Sequence, residues 1–119
     1  MYTVYGISNC DTIKKTIAWL QQHKIAFNFH DYKKSGITQE KLHDWCRQSG
    51  WETIFNKRSS TLKELDPKVQ ESVTGADAAI GLMLEHTSII KRPVIEKNGK
   101  VIAIGFDPKK YEKVFGKKS

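Results

Sequence analysis

The chain has 119 residues, 39% of them apolar, and a formal net charge of +7, which predicts one compact domain over residues 1–119. Its apolar runs are much shorter than the roughly 20 residues that span a bilayer, and no signal-peptide pattern opens the sequence, so we expect a cytoplasmic protein without membrane contact. The positive charge comes mostly from lysines spread along the chain, which makes nucleic acid an unlikely partner.

The first third of the chain predicts a strand, a helix and a second strand. Residues 3–7 predict a short strand, and residues 26–32 alternate apolar and polar side chains as a further strand does. Between them, residues 11–23 predict a helix, because apolar side chains recur at helical spacing from Ile13 to Leu20. This order of elements favours parallel pairing of the two strands, with the helix as the crossover connection.

The middle of the chain predicts helices separated by loops. Thr38 is a suitable N-cap for a helix that Gly50 would end. Residues 61–64, Thr-Leu-Lys-Glu, form a capping box that predicts a helix start, and Pro67 can open a further helical turn. The remaining predictions here are a helix over residues 77–86 and loops over residues 33–38 and 56–60.

The last third predicts a β-hairpin and a helix. Residues 91–106 contain two apolar runs that flank Asn98-Gly99, the strongest short signal for a hairpin turn. Asp107 and the proline after it open a final helix, whose lysine-rich sequence DPKKYEKVFGKKS predicts a solvated surface. Together the elements predict an α/β fold: a small mixed sheet with helices against it and a helical insertion at about residues 37–88, compatible with a thioredoxin-like core.

Cys10 lies at the joint between the first strand and the first helix, after Tyr-Gly-Ile-Ser-Asn. The free N–H groups and the positive end of a helix favour a thiolate, which is the nucleophilic form of cysteine. The same N–H groups can hold an oxyanion beside the sulfur. Lys14 would add positive potential, whereas Asp11 works against it. A small packing residue at a tight joint is the alternative, and we follow the interpretation of a reactive thiol.

The second cysteine and the histidines predict no further chemistry. Cys46 shares a helical face with Leu42 and Trp45, so we expect a core thiol without a redox role. Two cysteines are too few for a disulfide framework. The cysteines and the four scattered histidines also lack the spacing of metal ligands, so no metal site is predicted and the histidines are expected at the surface or its boundary.

Two basic places can complete a site around a thiolate. Arg92 precedes Pro93 immediately before a predicted strand, and its guanidinium can present a fork of donors to an oxyanion or carboxylate. The second place is the loop with Lys57 and Arg58. For both places an ordinary surface charge is the alternative, and spacing alone does not decide between the two interpretations.

Four segments taken together resemble the arsenate reductase (ArsC) family, specifically its Spx and YffB branch. They are YGISNCDTIKK, NKRSSTLKEL, IIKRPVI and AIGF, and their order and spacing match along nearly the whole chain. The resemblance implies a thioredoxin-like fold with a helical insertion, a nucleophilic Cys10 and a cis Pro93 preceded by the oxyanion-binding Arg92. In arsenate reductases the cysteine attacks arsenate, and glutathione with glutaredoxin resolves the adduct.

The chain departs from the family's patterns at three positions. Asn56 stands where arsenate reductases have an arginine, with Arg58 two positions on, and Gly105 replaces the arginine near the end of the last strand. Ile13 stands where Spx regulators have the second cysteine of their Cys-x-x-Cys switch. The forms at Asn56 and Gly105 are similar to the YffB type, for which a glutathione-dependent thiol reductase activity is implied.

The predicted function is a glutathione-dependent thiol oxidoreductase of the cytoplasm, with glutathione as co-substrate, glutaredoxin as a candidate partner and small thiols or disulfides as substrates. Cys10 and Arg92 are the predicted catalytic pair. The predicted substrate-binding residues are Asn9, Lys14, Lys57, Arg58 and Pro93. The alternatives are an Spx-like transcription regulator that binds RNA polymerase without a Cys-x-x-Cys switch, and a weak arsenate reductase.

Overall fold

A four-stranded mixed sheet organises the fold in the computed structural model, which describes residues 1–116. Its strands are β1 (Tyr2–Gly6), β2 (Phe27–Asp31), β3 (Val94–Lys97) and β4 (Lys100–Ile104), in the order β2-β1-β3-β4. β1 pairs in parallel with β2 and antiparallel with β3, and β3 pairs antiparallel with β4. The predicted mixed sheet and its parallel first pair are therefore confirmed.

Helices account for most of the remaining described residues. They are α1 (Asp11–Gln22), α2 (Tyr32–Ser35), α3 (Gln39–Ser49), α4 (Trp51–Ile54), α5 (Ser60–Glu64), α6 (Pro67–Glu71), α7 (Ala76–Glu85) and α8 (Pro108–Phe115), with a 3-10 turn over Thr87–Ile89. No helix within residues 1–116 has the length and apolar character needed to cross a bilayer. Lys117 and Lys118, part of the predicted basic helix, lie outside the described residues.

The chain divides into two compact units. The sheet unit combines Met1–Ser35 with the segment from Arg92 onward, and the helical unit is Gly36–Lys91. The helical unit coincides closely with the predicted insertion over about residues 37–88. That the two units together form one domain stays a prediction.

The core of the sheet unit joins the sheet to α1 and α8. Its buried members are Val4, Trp19, Leu20, Ile95, Ala103 and Tyr111. Leu20 and Trp19 come from the apolar stripe that the helical periodicity of α1 predicts, and Tyr111 lies edge-on to the Trp19 ring at a centroid distance of 5.2 Å. The Tyr111 hydroxyl donates to the Gly105 carbonyl over 2.6 Å, which fixes α8 to the end of β4.

The helical unit also contains fully buried apolar side chains. Its fully buried side chains include Leu42, Trp45, Ile54, Ala79, Met83, Ile89 and Ile90. The helix predicted at the capping box begins earlier than expected, because Ser59 rather than Thr61 is the N-cap and accepts a hydrogen bond from the Leu62 N–H over 3.4 Å. Pro67 opens α6 as predicted, after the Asp66 cap.

Helix α2 lies where a loop was expected. The Asp31 carboxylate accepts hydrogen bonds from the backbone N–H groups of Lys33 over 3.0 Å and Lys34 over 3.3 Å. Asp31 therefore ends β2 and starts a short helix, one residue before the predicted end of the strand. The consequence for the site is that Tyr32 sits at the start of α2 and is buried, with 1% of its surface exposed.

Candidate active site

Cys10 is the N-cap residue of α1. Its backbone is extended (φ −148°, ψ 129°), and its carbonyl accepts the Lys14 N–H over 3.0 Å. Strand β1 and helix α1 approach closely at Gly6 and Ile13. A Cβ atom on Gly6 would collide with the Ile13 side chain. Glycine at this position lets α1 start directly against β1, which leaves the half-buried thiol of Cys10 at the open end of the helix.

Arg92 comes to the same sulfur from a position 82 residues away in sequence. Its Nε–H donates to the Cys10 Sγ over 3.3 Å. The peptide bond between Arg92 and Pro93 is cis, as the resemblance implies. The structure thus brings the two predicted catalytic residues into direct contact, and the arginine is half-buried beside the thiol.

The surroundings of Cys10 favour the thiolate. Burial acts to raise the pKa of the thiol, but the Arg92 hydrogen bond, the nearby N–H groups of Ile13 and Thr12, and the Arg92 charge outweigh it, so the pKa lies below its ordinary value. The two N–H groups act through their dipoles, since neither makes a regular capping bond to the side chain. A larger thiolate fraction at neutral pH makes Cys10 a better nucleophile.

A carboxylate holds the loop that carries Cys10. Asp31 accepts the Ser8 N–H over 3.2 Å in addition to its two bonds at the start of α2. Burial raises the pKa of Asp31, but the bonds from Ser8, Lys33 and Lys34 lower it further, so the carboxylate is charged at neutral pH. The strand-to-helix joint of β1 and the start of α2 are therefore tied together by one ionised side chain.

Tyr32 is a site residue that the sequence did not single out. The Arg92 guanidinium donates a hydrogen bond to its hydroxyl, so one arginine contacts both Cys10 and Tyr32. Burial raises the pKa of Tyr32 to about 12, which keeps the hydroxyl neutral at physiological pH. A buried tyrosine after a strand is an ordinary core pattern, and only its position directly after the capping residue Asp31 hints at a second role.

The other predicted binding residues fall in different places. Asn9 and Lys14 are exposed on the sheet unit on either side of Cys10, and Pro93 is buried. Lys57 and Arg58 are exposed on the helical unit, where they line a cleft of about 380 Å³ with Lys91. The groups that shift the Cys10 pKa are Arg92 and the α1 N–H groups, and the predicted effect of the Lys14 ammonium is not among them.

The predicted core position of Cys46 is only partly observed, and its lack of a redox role stays a prediction. Leu42 and Trp45 on the same helix are fully buried, whereas Cys46 is partly buried and lines a second cleft, of about 340 Å³, with His43 and Gly50 among its neighbours. Burial still raises the pKa of Cys46, which makes it the less nucleophilic of the two thiols.

No cluster of three or more histidine, cysteine, aspartate or glutamate side chains suited to a metal ion occurs within residues 1–116. All four histidines are partly buried, as expected for boundary residues. The functional groups gathered at Cys10 are thus a thiol, a guanidinium, helix N–H groups and a neutral phenol. These groups can stabilise a thiolate both as an attacking nucleophile and as a leaving group.

We expect Arg92→Gln to raise the pKa of Cys10, because the lowered pKa depends on the arginine's bond and charge. The thiolate of the unaltered protein should form with a midpoint below the ~8.5 of free cysteine, and the variant should alkylate at Cys10 about tenfold more slowly at pH 7. The measurement is the rate of iodoacetamide labelling at Cys10 against pH, resolved by mass spectrometry. Arg47→Gln, which alters an arginine with 75% of its side chain exposed, is the control. An unchanged midpoint in Arg92→Gln would contradict this account.

Comparison with known proteins places this site in a family. The chain matches the ArsC family over residues 5–114. The solved structure of the YFFB protein superposes with a TM-score of 0.88 at 43% identity, covering 96% of this chain and 98% of that one. An arsenate reductase (ArsC) related protein from Brucella melitensis gives a TM-score of 0.77 at 43% identity, covering 96% and 93% of the two chains.

A relative that is named as a regulator matches most of this chain. The global transcriptional regulator Spx of Streptococcus pyogenes is 30% identical over 110 residues, which cover 90% of this chain and 79% of that protein. The thioredoxin-like fold predicted for this chain is confirmed by the structural neighbours. The predicted resemblance is confirmed as well, and this protein is a member of the ArsC family, related to its YffB and Spx proteins.

Proposed function

We propose that this protein is a glutathione-dependent thiol oxidoreductase that works with one cysteine, Cys10. The observation that carries the proposal is the 3.3 Å hydrogen bond from Arg92 Nε to the Cys10 sulfur at the start of α1. Family membership supports thiol chemistry in general, and the 43% identity to the YFFB protein supports this branch. The reaction and its cytoplasmic location remain our proposal.

The proposed cycle consists of two thiol–disulfide exchanges. The Cys10 thiolate attacks the glutathione sulfur of a mixed disulfide between glutathione and a substrate thiol. The old sulfur–sulfur bond breaks, a Cys10–glutathione disulfide forms, and the substrate leaves as a thiolate that takes a proton from water. The thiolate of a second glutathione then attacks the bound glutathione sulfur, which releases glutathione disulfide and returns Cys10 as a thiolate. Glutathione supplies the two electrons that reduce the substrate disulfide.

Arg92 serves both exchanges. In the first it favours the attacking thiolate, and in the second it stabilises the same thiolate as the leaving group, since a leaving thiol with a lower pKa departs faster. Ile13 occupies the third position after Cys10, so the pair of a Cys-x-x-Cys motif is missing and an external thiol must complete the cycle. Glutathione, alone or through glutaredoxin, is the thiol that we propose.

Polar residues of the sheet unit are proposed to bind glutathione. Asn9 and Lys14 are exposed near the sulfur in sequence and can contact the tripeptide backbone or a carboxylate. The helical unit has a basic cleft lined by Lys57, Arg58 and Lys91, which is proposed as a separate site. Glu52, which pairs with Lys57 over 3.6 Å, offsets only one of these positive charges. A carboxylate-binding role fits this cleft, and Arg58 suits it best because of its planar fork.

The test of the proposal is mass spectrometry after brief treatment with glutathione disulfide. We expect one glutathione on each chain, attached at Cys10, with little at Cys46. Added glutathione should remove it, and a screen of glutathione-linked disulfides should then show steady turnover. Equal labelling of both cysteines, or a Cys10 adduct that glutathione does not release, would overturn the proposed cycle.

The second candidate function is that of a regulator that binds RNA polymerase. The observation that favours it is the 30% identity to a protein named global transcriptional regulator Spx. Under this alternative Cys10 is not needed for the interaction. Recovery of purified RNA polymerase by the immobilised protein, equal for the unaltered chain and Cys10→Ser, together with no glutathione-dependent turnover, would favour the regulator over the enzyme.

A further inference from the structure

We infer that Tyr32 is a positioning residue for Cys10, and that it acts by holding the Arg92 guanidinium in the orientation that meets the sulfur. The inference extends the proposed function, since the thiolate that Arg92 stabilises is the proposed nucleophile. It is a separate claim about the geometry of three side chains of the sheet unit, Cys10, Tyr32 and Arg92.

Tyr32 is fixed more firmly than the arginine that it contacts. It is the first residue of α2, and the Asp31 cap sets the start of that helix through two backbone hydrogen bonds. Its ring is buried, with 1% of the residue exposed, whereas Arg92 is only half-buried. A rigid, buried hydroxyl is therefore available as a reference point for a long and flexible side chain.

The guanidinium needs a second contact to keep one orientation. Arginine presents five donors in a rigid plane, so a single bond through Nε to the Cys10 sulfur leaves the plane free to rotate. A bond to the Tyr32 hydroxyl as well fixes the plane at two points. Both partners lie within the sheet unit, and the Nε–H is then directed at the sulfur before any substrate binds.

A neutral partner suits this role better than a charged one. Burial raises the pKa of Tyr32 to about 12, so the phenol accepts a hydrogen bond from Arg92 without cancelling its positive charge. A carboxylate in the same place would compete with the thiolate for that charge. The charged and titratable groups that act at this point are Cys10, Arg92, Tyr32 and, through Tyr32, Asp31.

The contact also has a use during the proposed cycle. When Cys10 is joined to glutathione, its sulfur is neutral and attracts the guanidinium much less. The Tyr32 bond would keep Arg92 in place at this stage. The arginine would then stand ready to stabilise the thiolate as it forms again in the second exchange.

The test compares two buried tyrosines that each lose one hydroxyl. Tyr32→Phe should raise the midpoint of Cys10 alkylation against pH and slow iodoacetamide labelling at pH 7 by about three- to tenfold. Tyr111→Phe is the matched control: Tyr111 is fully buried in the same unit, burial raises its pKa to about 12 as well, and its hydroxyl donates to the Gly105 carbonyl instead. If both variants keep the midpoint of the unaltered protein, Tyr32 has no positioning role.

Two further measurements test whether Tyr32 acts through Arg92. In a background of Arg92→Gln, the change Tyr32→Phe should have little further effect, because Tyr32 acts through the arginine. An equal shift with and without Arg92 would contradict that. Should Tyr32→Phe fail to fold, the Nη–H resonances of Arg92 in the unaltered protein are measured instead, because the Nε–H is already bonded to Cys10. Solvent exchange slower than that of the exposed Arg47 supports the second contact, and equal exchange overturns it.

These results are independent of turnover. Alkylation of Cys10 and solvent exchange of the Arg92 N–H groups need no substrate. A protein without glutathione-dependent activity can therefore still show the coupling of Tyr32 to Cys10. In that case the proposed function fails and the inference stands. Normal turnover without any coupling would be the reverse outcome.

Discussion

Replacing Cys10 with serine should abolish glutathione-dependent turnover, with a loss in kcat/KM of at least about 1,000-fold. A serine hydroxyl keeps its proton at neutral pH and cannot form the sulfur–sulfur bond on which the proposed cycle depends. The favourable surroundings do not compensate, because the Arg92 bond and the helix dipole stabilise an anion that serine does not supply. The measurement is steady-state kinetics with a glutathione mixed disulfide and excess glutathione.

The control for this experiment is the other cysteine. Cys46→Ala should keep turnover within about twofold, since burial raises the pKa of that thiol and makes it a poor nucleophile. Its effect on stability should be modest because the residue is only partly buried. A Cys10–Cys46 disulfide after oxidation, combined with activity lost in Cys46→Ala, would show a two-cysteine mechanism instead.

Arsenate should be turned over weakly or not at all. A tetrahedral dianion next to a thiolate needs several donors, and arginine supplies them best because its fork makes two parallel charge-assisted hydrogen bonds. The arsenate-reducing pattern has three arginines, of which this chain keeps Arg92 in register. The loss of one preorganised donor can cost on the order of 100-fold in rate, so two losses should leave little activity.

At Asn56 and Gly105, the two positions without the expected arginine, the structure shows local backbone roles. The Asn56 side chain accepts the Arg58 N–H over 3.1 Å, which makes it a loop cap. Gly105 has a φ of +81°, a left-handed backbone that opposes any side chain, arginine included. Kinetics with arsenate, glutathione and glutaredoxin would decide the question. A specificity constant for arsenate above that for glutathione disulfides would refute the prediction, and Arg58→Ala would then test for a displaced oxyanion contact.

Local sequence patterns were enough to predict the sheet and the position of the cysteine. The hairpin turn is a good example, since Asn98 and Gly99 adopt positive φ angles of 53° and 79°, as this dipeptide favours. Cys10 is the N-cap that its place between a strand and a helix predicts. In both cases the decisive information lies within a few neighbouring residues.

The features that sequence missed depend on contacts over longer distances. Three hydroxyl residues in a row could each cap α5, and Ser59 is selected because it is buried and bonds the Ser88 carbonyl, while the Thr61 hydroxyl accepts a bond from the Ser88 side chain. The four-residue helices α2 and α4 are too short to show a periodicity. Likewise, no local pattern shows that Tyr32 and Arg92 meet.

The distance of 82 residues between Cys10 and Arg92 also sets the order of events during protein synthesis. The ribosome translates the cysteine long before the arginine, and the whole helical unit emerges between them. Until β3 pairs with β1, Cys10 lacks the hydrogen bond and the charge of Arg92, so the N–H groups of α1 alone act to lower its pKa. Assembly of the sheet is therefore the step that completes the surroundings of the nucleophile.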